Sequence, residues 1–122
     1  MVSAVTDFDV VVVGGGAVGV AAACKLSQQY DRVAIIDNTQ HMPWQKDDDY
    51  GLRVSAINLA SIELLSQIDA WKDVQMMRAF AYRSMYVWEQ GGDTQIDFNA
   101  SDTTHSSLGT IVGGRIGLKC AS

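Results

Sequence analysis

The residues whose types and spacing suggest chemistry are Gly14, Gly15, Gly16, Ala17, Val18 and Gly19, with Asp37 further along. Peptide N–H groups in a glycine turn that opens a helix converge on an anion, and the helix dipole favours the negative charge without any lysine or arginine. An acidic residue about 20 positions beyond the glycines is placed to accept hydrogen bonds from ribose hydroxyls. Diphosphate and ribose together describe a dinucleotide. The Asp37 carboxylate would also repel a 2′-phosphate, which disfavours NADP in this pocket. Three glycines at this spacing also arise by chance in a chain holding 11 of them, so the surroundings must decide between a nucleotide turn and one that serves packing alone.

Those surroundings read as strand, turn, helix and strand. Residues 8–13 form an apolar, β-branched run suited to a strand covered on both faces of a parallel sheet. From Ala17 to position 29, small and apolar residues (Val18, Ala21, Ala22, Leu26) recur at helical spacing, so a helix begins where the glycines end. Gly14 permits the tight turn, Gly16 leaves the pyrophosphate room to approach, and Gly19, with Ala23 one turn later, lets the helix lie close to the strand. A second strand over 32–36 alternates toward Val33 and Ile35 and delivers Asp37 at its end.

The 122 residues allow one domain and a modest core. With 48% hydrophobic and 19% charged residues the chain is globular, and a net charge of -5 argues against a nucleic-acid partner. Cys24 and Cys120 have no CxxC spacing and no histidine cluster around them, so no metal site is expected, and both read as free thiols in a reducing compartment. The apolar stretch 10–24 ends in Ala-Ala-Cys but carries Asp7 and Asp9 where a signal peptide needs positive charge, and it is too short to span a bilayer. A cytoplasmic chain without a transmembrane segment is expected.

Beyond Asp37, residues 38–50 form a polar loop with Pro43, His41, Trp44 and the run Asp47-Asp48-Asp49, three consecutive carboxylates that do not converge on one point. Ser55 is expected to cap a helix over 56–68 whose Ile57, Ala60, Leu64, Leu65 and Ile68 share a face. Asp69 is expected to cap a second, short helix with Trp71, Val74 and Met77 turned inward. Residues 84–89 alternate as a strand, Gly91-Gly92-Asp93 makes a turn, and 95–98 returns with Ile96 and Phe98 on one face, a β-hairpin. A polar loop with a surface His105 leads to a last strand over 108–112. No catalytic constellation is present, so in an enzyme the cofactor would carry the chemistry.

The segments Phe8-Asp9-Val10-Val11-Val12-Val13-Gly14-Gly15-Gly16, Tyr50-Gly51-Leu52-Arg53-Val54-Ser55-Ala56-Ile57-Asn58, Ala70-Trp71-Lys72-Asp73-Val74-Gln75-Met76-Met77-Arg78 and Tyr82-Arg83-Ser84-Met85-Tyr86-Val87-Trp88 resemble, in order and spacing, the amino-terminal part of the ubiquinone-biosynthesis ring hydroxylases. These belong to the FAD-dependent aromatic monooxygenases, and the resemblance is nearest to members acting on demethoxylated polyprenyl quinols. It implies FAD across Gly14, Gly16, Ala17 and Val18, with Asp37 on the adenosine ribose in place of the family's usual glutamate. Arg53 matches an arginine near the isoalloxazine side, and Arg115 matches the arginine of a Glu-Asn-Arg segment. NAD(P)H would be the reductant, O2 the oxidant, and a polyprenylated phenol or quinol the substrate, handled at the inner membrane face and in multiprotein assemblies.

Tyr30 stands where the family commonly has glycine, Gly113 and Gly114 replace the Glu-Asn pair, and the later motifs of the much longer family members are not in this sequence. The resemblance therefore implies residues 1–122 as a single truncated FAD/NAD(P)-binding domain, inactive alone. Residues 7–82 and 108–118 would form its nucleotide-binding unit, and 83–99 a hairpin of an incomplete substrate domain. The expected fold is α/β: a Rossmann-like unit with residues 8–13, 32–36 and 108–112 in one parallel sheet, and the appended hairpin bare enough to promote aggregation. A non-catalytic dinucleotide-binding module and an NAD-dependent dehydrogenase fragment stay open as alternatives.

Overall fold

A computed structural model describes residues 6–40, 45, 53–114 and 116–120, and these form an α/β arrangement of three small sheets, three α-helices and one short 3-10 turn. The first unit has the expected order of elements but not the expected strand covered on both faces: Val11 and Val13 are 47% and 83% exposed, because one parallel partner and one helix cover little of so small a sheet. Strand β1 (Val10–Val13) leads through the glycine turn into helix α1 (Ala17–Leu26), and strand β2 (Val33–Ile36) returns parallel to β1, pairing Val10 with Val33 and Val13 with Ile36. Four consecutive valines give β1 a stiff, β-branched backbone that suits extended pairing. The start of the pair is fastened by Asp9, whose N–H donates to the Arg32 carbonyl at 2.9 Å and whose carboxylate accepts from the Arg32 N–H at 3.1 Å. The Arg32 guanidinium also lies 5.8 Å from the Phe8 ring centre. At the far end of α1, Lys25 in the last turn complements the helix dipole and donates to the Gln67 side chain at 3.0 Å.

The next segment departs from the helical reading of 56–68. Strand β3 (Val54–Asn58) occupies the first part, and helix α2 (Leu59–Gln67) starts only after it, capped by the Asn58 side chain, which accepts from Ser61 N–H at 2.8 Å, rather than by Ser55. Ile57 is buried in either arrangement, so its hydrophobicity does not distinguish them; pairing with another strand does. Asp69 likewise does not cap the following helix. It takes a left-handed conformation (φ 57°) and closes α2: the Asp69 N–H donates to Ser66 and the Ala70 N–H to Leu65 at 2.8 Å, with Leu65 and Ala70 both in the core. Ala70 then heads helix α3 (Trp71–Met76), whose Val74 is fully buried.

Strand β4 (Ala79–Tyr82), which no sequence signal announces, lies beside β7 (Gly109–Gly113). The expectation that residues 108–112 join the parallel sheet is overturned here. β7 is the middle strand of an antiparallel sheet, β3-β7-β4, pairing Ile57 with Thr110 and Ala81 with Thr110, while the described parallel sheet holds β1 and β2 alone. Gly109 suits that crossing: a Cβ there would lie 2.4 Å from the Ile57 carbonyl oxygen and 2.8 Å from the Tyr82 hydroxyl. Strands β5 (Ser84–Trp88) and β6 (Gln95–Asn99) form the expected hairpin, in register from Ser84↔Asn99 to Trp88↔Gln95, with Gly91 at φ 89° in its turn. Both its faces are exposed, Trp88 at 71%.

The core gathers Ala21 and Cys24 of α1, Leu65 and Ile68 from α2 and its end, Val74, Met77, Ile57 and Val112, with Ile116 and Leu118 packed against it. That last contact carries the terminal stretch back to α1, and Cys120 forms a disulfide with Cys24, Cα–Cα 5.2 Å, contrary to the expectation of two free thiols. Local spacing gave no hint of it because the two residues are 96 positions apart. Among the described residues no helix is long and apolar enough to cross a membrane, and no group of metal-ligating side chains is assembled.

Candidate functional site

The glycine turn is built against the end of β2. Gly14 adopts φ 106°, a conformation open to glycine and strained for other residues, and its N–H donates to the Ile36 carbonyl at 2.7 Å. The next N–H, that of Gly15, donates to Oδ2 of Asp37. Oδ1 of the same carboxylate accepts from the Thr39 N–H at 2.6 Å, an Asx-type turn that orients the side chain. Asp37 therefore lies directly against the phosphate-type turn.

Gly16 takes the N-cap position of α1 in extended geometry, with no side chain capping the helix and no acidic residue in its first turn. The first N–H groups of any α-helix have no intrahelical acceptor. A Cβ on Gly16 would meet nothing within 4 Å, so the space beside it is free for a ligand. Gly19 is the opposite case: its Cβ would lie 1.9 Å from the Gly14 carbonyl oxygen and 3.6 Å from Val12 Cγ1. The helix thus touches the turn that precedes it, and Ala23, 2% exposed, continues the close approach. Val18 points outward on the first turn and is 85% exposed.

The turn and helix start have the features an anion site needs: open space at Gly16 and uncapped helix-end amides at Ala17 and Val18, with the Asp37 carboxylate held beside the turn. The bond between Gly15 and Asp37 was not foreseen; the signal for it is an acid placed immediately after a strand that pairs in parallel with the one feeding the turn. Arg53 is exposed just before β3, where its carbonyl accepts from Gly114 N–H at 3.1 Å. Arg115 lies outside the described residues, as do His41, Pro43, Trp44 and Asp47, Asp48 and Asp49. His105 is exposed, its backbone N–H donating to Thr103 Oγ1 at 3.1 Å, and takes no part in the site.

Residues 9–45, which span the turn, α1, β2 and Asp37, match the family described as FAD binding domain. Over 104 residues the chain is 35% identical to 3-demethoxyubiquinol 3-hydroxylase of Escherichia coli (strain K12), covering 85% of this chain and 26% of that protein. Ubiquinone biosynthesis monooxygenase COQ6, mitochondrial, of Homo sapiens is 36% identical over 114 residues, 88% of this chain and 24% of its own length. The chain is related to the ubiquinone-biosynthesis monooxygenases. The Drosophila melanogaster counterpart agrees, at 35% over 110 residues. The similarity to these monooxygenases takes in 85–88% of this chain, far more than residues 9–45, which a shared nucleotide motif alone would not produce. The chain spans about a quarter of the length of the curated relatives it matches.

Proposed function

We propose that this chain supplies the adenine-dinucleotide end of the FAD site of a monooxygenase that hydroxylates a polyprenylated phenol or quinol ring in ubiquinone biosynthesis, with NAD(P)H as reductant and O2 as oxidant. Its strand, glycine turn, helix and parallel strand then act as a Rossmann-like unit. The observation that carries the proposal is the pairing of an open Gly16 and uncapped α1 with a carboxylate fixed beside the turn. Gly16, Ala17 and Val18 would hold the diphosphate through main-chain N–H groups, and Asp37 would accept from the ribose. FAD, when bound, would supply the redox chemistry.

This chain's part is binding and orientation. Such chemistry needs a closed, dry site, whereas Val13 at 83% and Ile36 at 57% exposure leave the sheet beside the turn open to water. The chain by itself is therefore expected to bind nucleotide without hydroxylating. Arg53 and Arg115 on the flavin side, and a setting at a membrane surface within a larger assembly, belong to the same proposal.

Calorimetric titration with FAD, NAD and ADP tests it. Preferential binding of FAD is the expected result. Equal, weak binding of all three would favour a dinucleotide module without chemistry of its own, and no binding by any would refute both. Oxidation of NADH by this chain that depends on a phenol or quinol would overturn the division between binding and turnover.

A further inference from the structure

Three glycines in succession form the most conformationally free stretch a chain can hold, and ordering them for ligand binding is costly. Here two consecutive peptides of the turn are tied to the end of β2: Gly14 N–H to the Ile36 carbonyl at 2.7 Å, and Gly15 N–H to the Asp37 carboxylate. The second tie is itself held in place, because the other carboxylate oxygen accepts from Thr39 N–H at 2.6 Å. The fit is close along the whole side chain: a Cβ on Gly15 would lie 2.7 Å from Asp37 Oδ2 and 3.2 Å from Asp37 Cβ. α1 has no side-chain cap that would order the turn from the helix side.

We propose that Asp37 is a positioning residue for the glycine turn, its carboxylate holding the Gly15 peptide so that the N–H groups of Gly16, Ala17 and Val18 face one anion before any ligand arrives. This rests on the nucleotide site proposed above and adds a second task to the residue placed there for the ribose. The two tasks predict opposite signs for a ligand that has phosphates and no ribose. If Asp37 met only the ribose, removing its charge would relieve repulsion and strengthen binding of a bare anion. If it holds the turn, removing it weakens that binding.

The test uses inorganic pyrophosphate and ADP as probes, titrated by calorimetry into the wild-type chain, Asp37→Ala and Asp37→Asn, with amide hydrogen exchange at Gly15 measured on each without ligand. The asparagine keeps an acceptor oxygen for the Gly15 N–H and discards the charge. Asp37→Ala should bind pyrophosphate about tenfold more weakly and lose protection at Gly15 by a similar factor, the scale of one hydrogen bond to a charged acceptor. Asp37→Asn should retain both. Gly15→Ala, whose methyl group displaces the carboxylate, should mimic Asp37→Ala, and the double variant should lose little more than either alone. Pyrophosphate binding by Asp37→Ala as tight as wild type or tighter, or unchanged exchange at Gly15, would overturn the positioning role while leaving the nucleotide site standing. Failure of the wild type to bind either probe would overturn the nucleotide site and with it this role, and Gly15 exchange would then report only on the bond.

Discussion

Replacing Gly19 with alanine separates the demands of tertiary structure from those of the helix. Gly19 lies inside α1, where alanine is favoured over glycine by about 1 kcal/mol, so helix propensity alone predicts a more stable protein. Contact predicts the reverse. The new Cβ would lie 1.9 Å from the Gly14 carbonyl oxygen and 3.0 Å from the Gly14 carbonyl carbon, about 1.5 Å inside the ordinary contact distance to that oxygen. The obstacle is backbone and cannot rotate aside. Either α1 moves away, loosening Ala21 and Cys24 in the core, or the turn opens and surrenders the Gly14–Ile36 and Gly15–Asp37 bonds. Overpacking of this kind costs roughly 1–3 kcal/mol, enough to outweigh the propensity gain through most of that range. Urea unfolding followed by circular dichroism should therefore show Gly19→Ala destabilised by up to about 2 kcal/mol, and calorimetry should show FAD affinity reduced at least tenfold. A variant as stable as wild type that binds FAD unchanged would refute the close approach of helix and turn.

Gly16→Ala is the matched control: its methyl group enters open space, so stability should fall by less than about 1 kcal/mol, from the poorer N-cap, while FAD titration should show a clear loss if the proposed diphosphate site occupies that space. Asn58→Ala removes the cap of α2 and should lower the unfolding free energy by about 1 kcal/mol in the same urea assay; an unchanged midpoint would mean that Asn58 does not cap. Breaking the Cys24–Cys120 link, by dithiothreitol or by Cys120→Ser, should destabilise the chain by about 2–5 kcal/mol, toward the upper end given the 96-residue separation it closes. Cys120→Ser should then be insensitive to reductant, and equal wild-type midpoints with and without dithiothreitol would rule out a contribution from the bond.

The first unit was legible because its causes are local. The valine run, the glycines and the helical spacing after them lie within a single stretch, and the parallel return of β2 needs only the helix to bring it back. The hairpin was legible for the same reason: an aromatic and β-branched run, Met85-Tyr86-Val87-Trp88, before Gly91-Gly92-Asp93 and the alternation Gln95-Ile96-Asp97-Phe98 after it. At 56–58 the sequence was ambiguous, since Ile57 satisfies both a period of two and the apolar face of a helix, and only the pairing of Ala56 with Ile111 and Ile57 with Thr110 makes those residues a strand. Once the strand runs to Asn58, that side chain becomes the cap and Ser55 cannot be.

Residues 8–37 carried in their own order the turn, the helix start and the acid beside them, because steric freedom, peptide dipoles and side-chain periodicity act over a few neighbouring positions. Tertiary structure alone chose the partners of β7, created β4 beside it and brought Cys120 to Cys24. A buried strand needs hydrogen-bonding neighbours without specifying which. Val112 finds its fully buried place only when β3 and β4, far apart in the chain, close around it over a shared core.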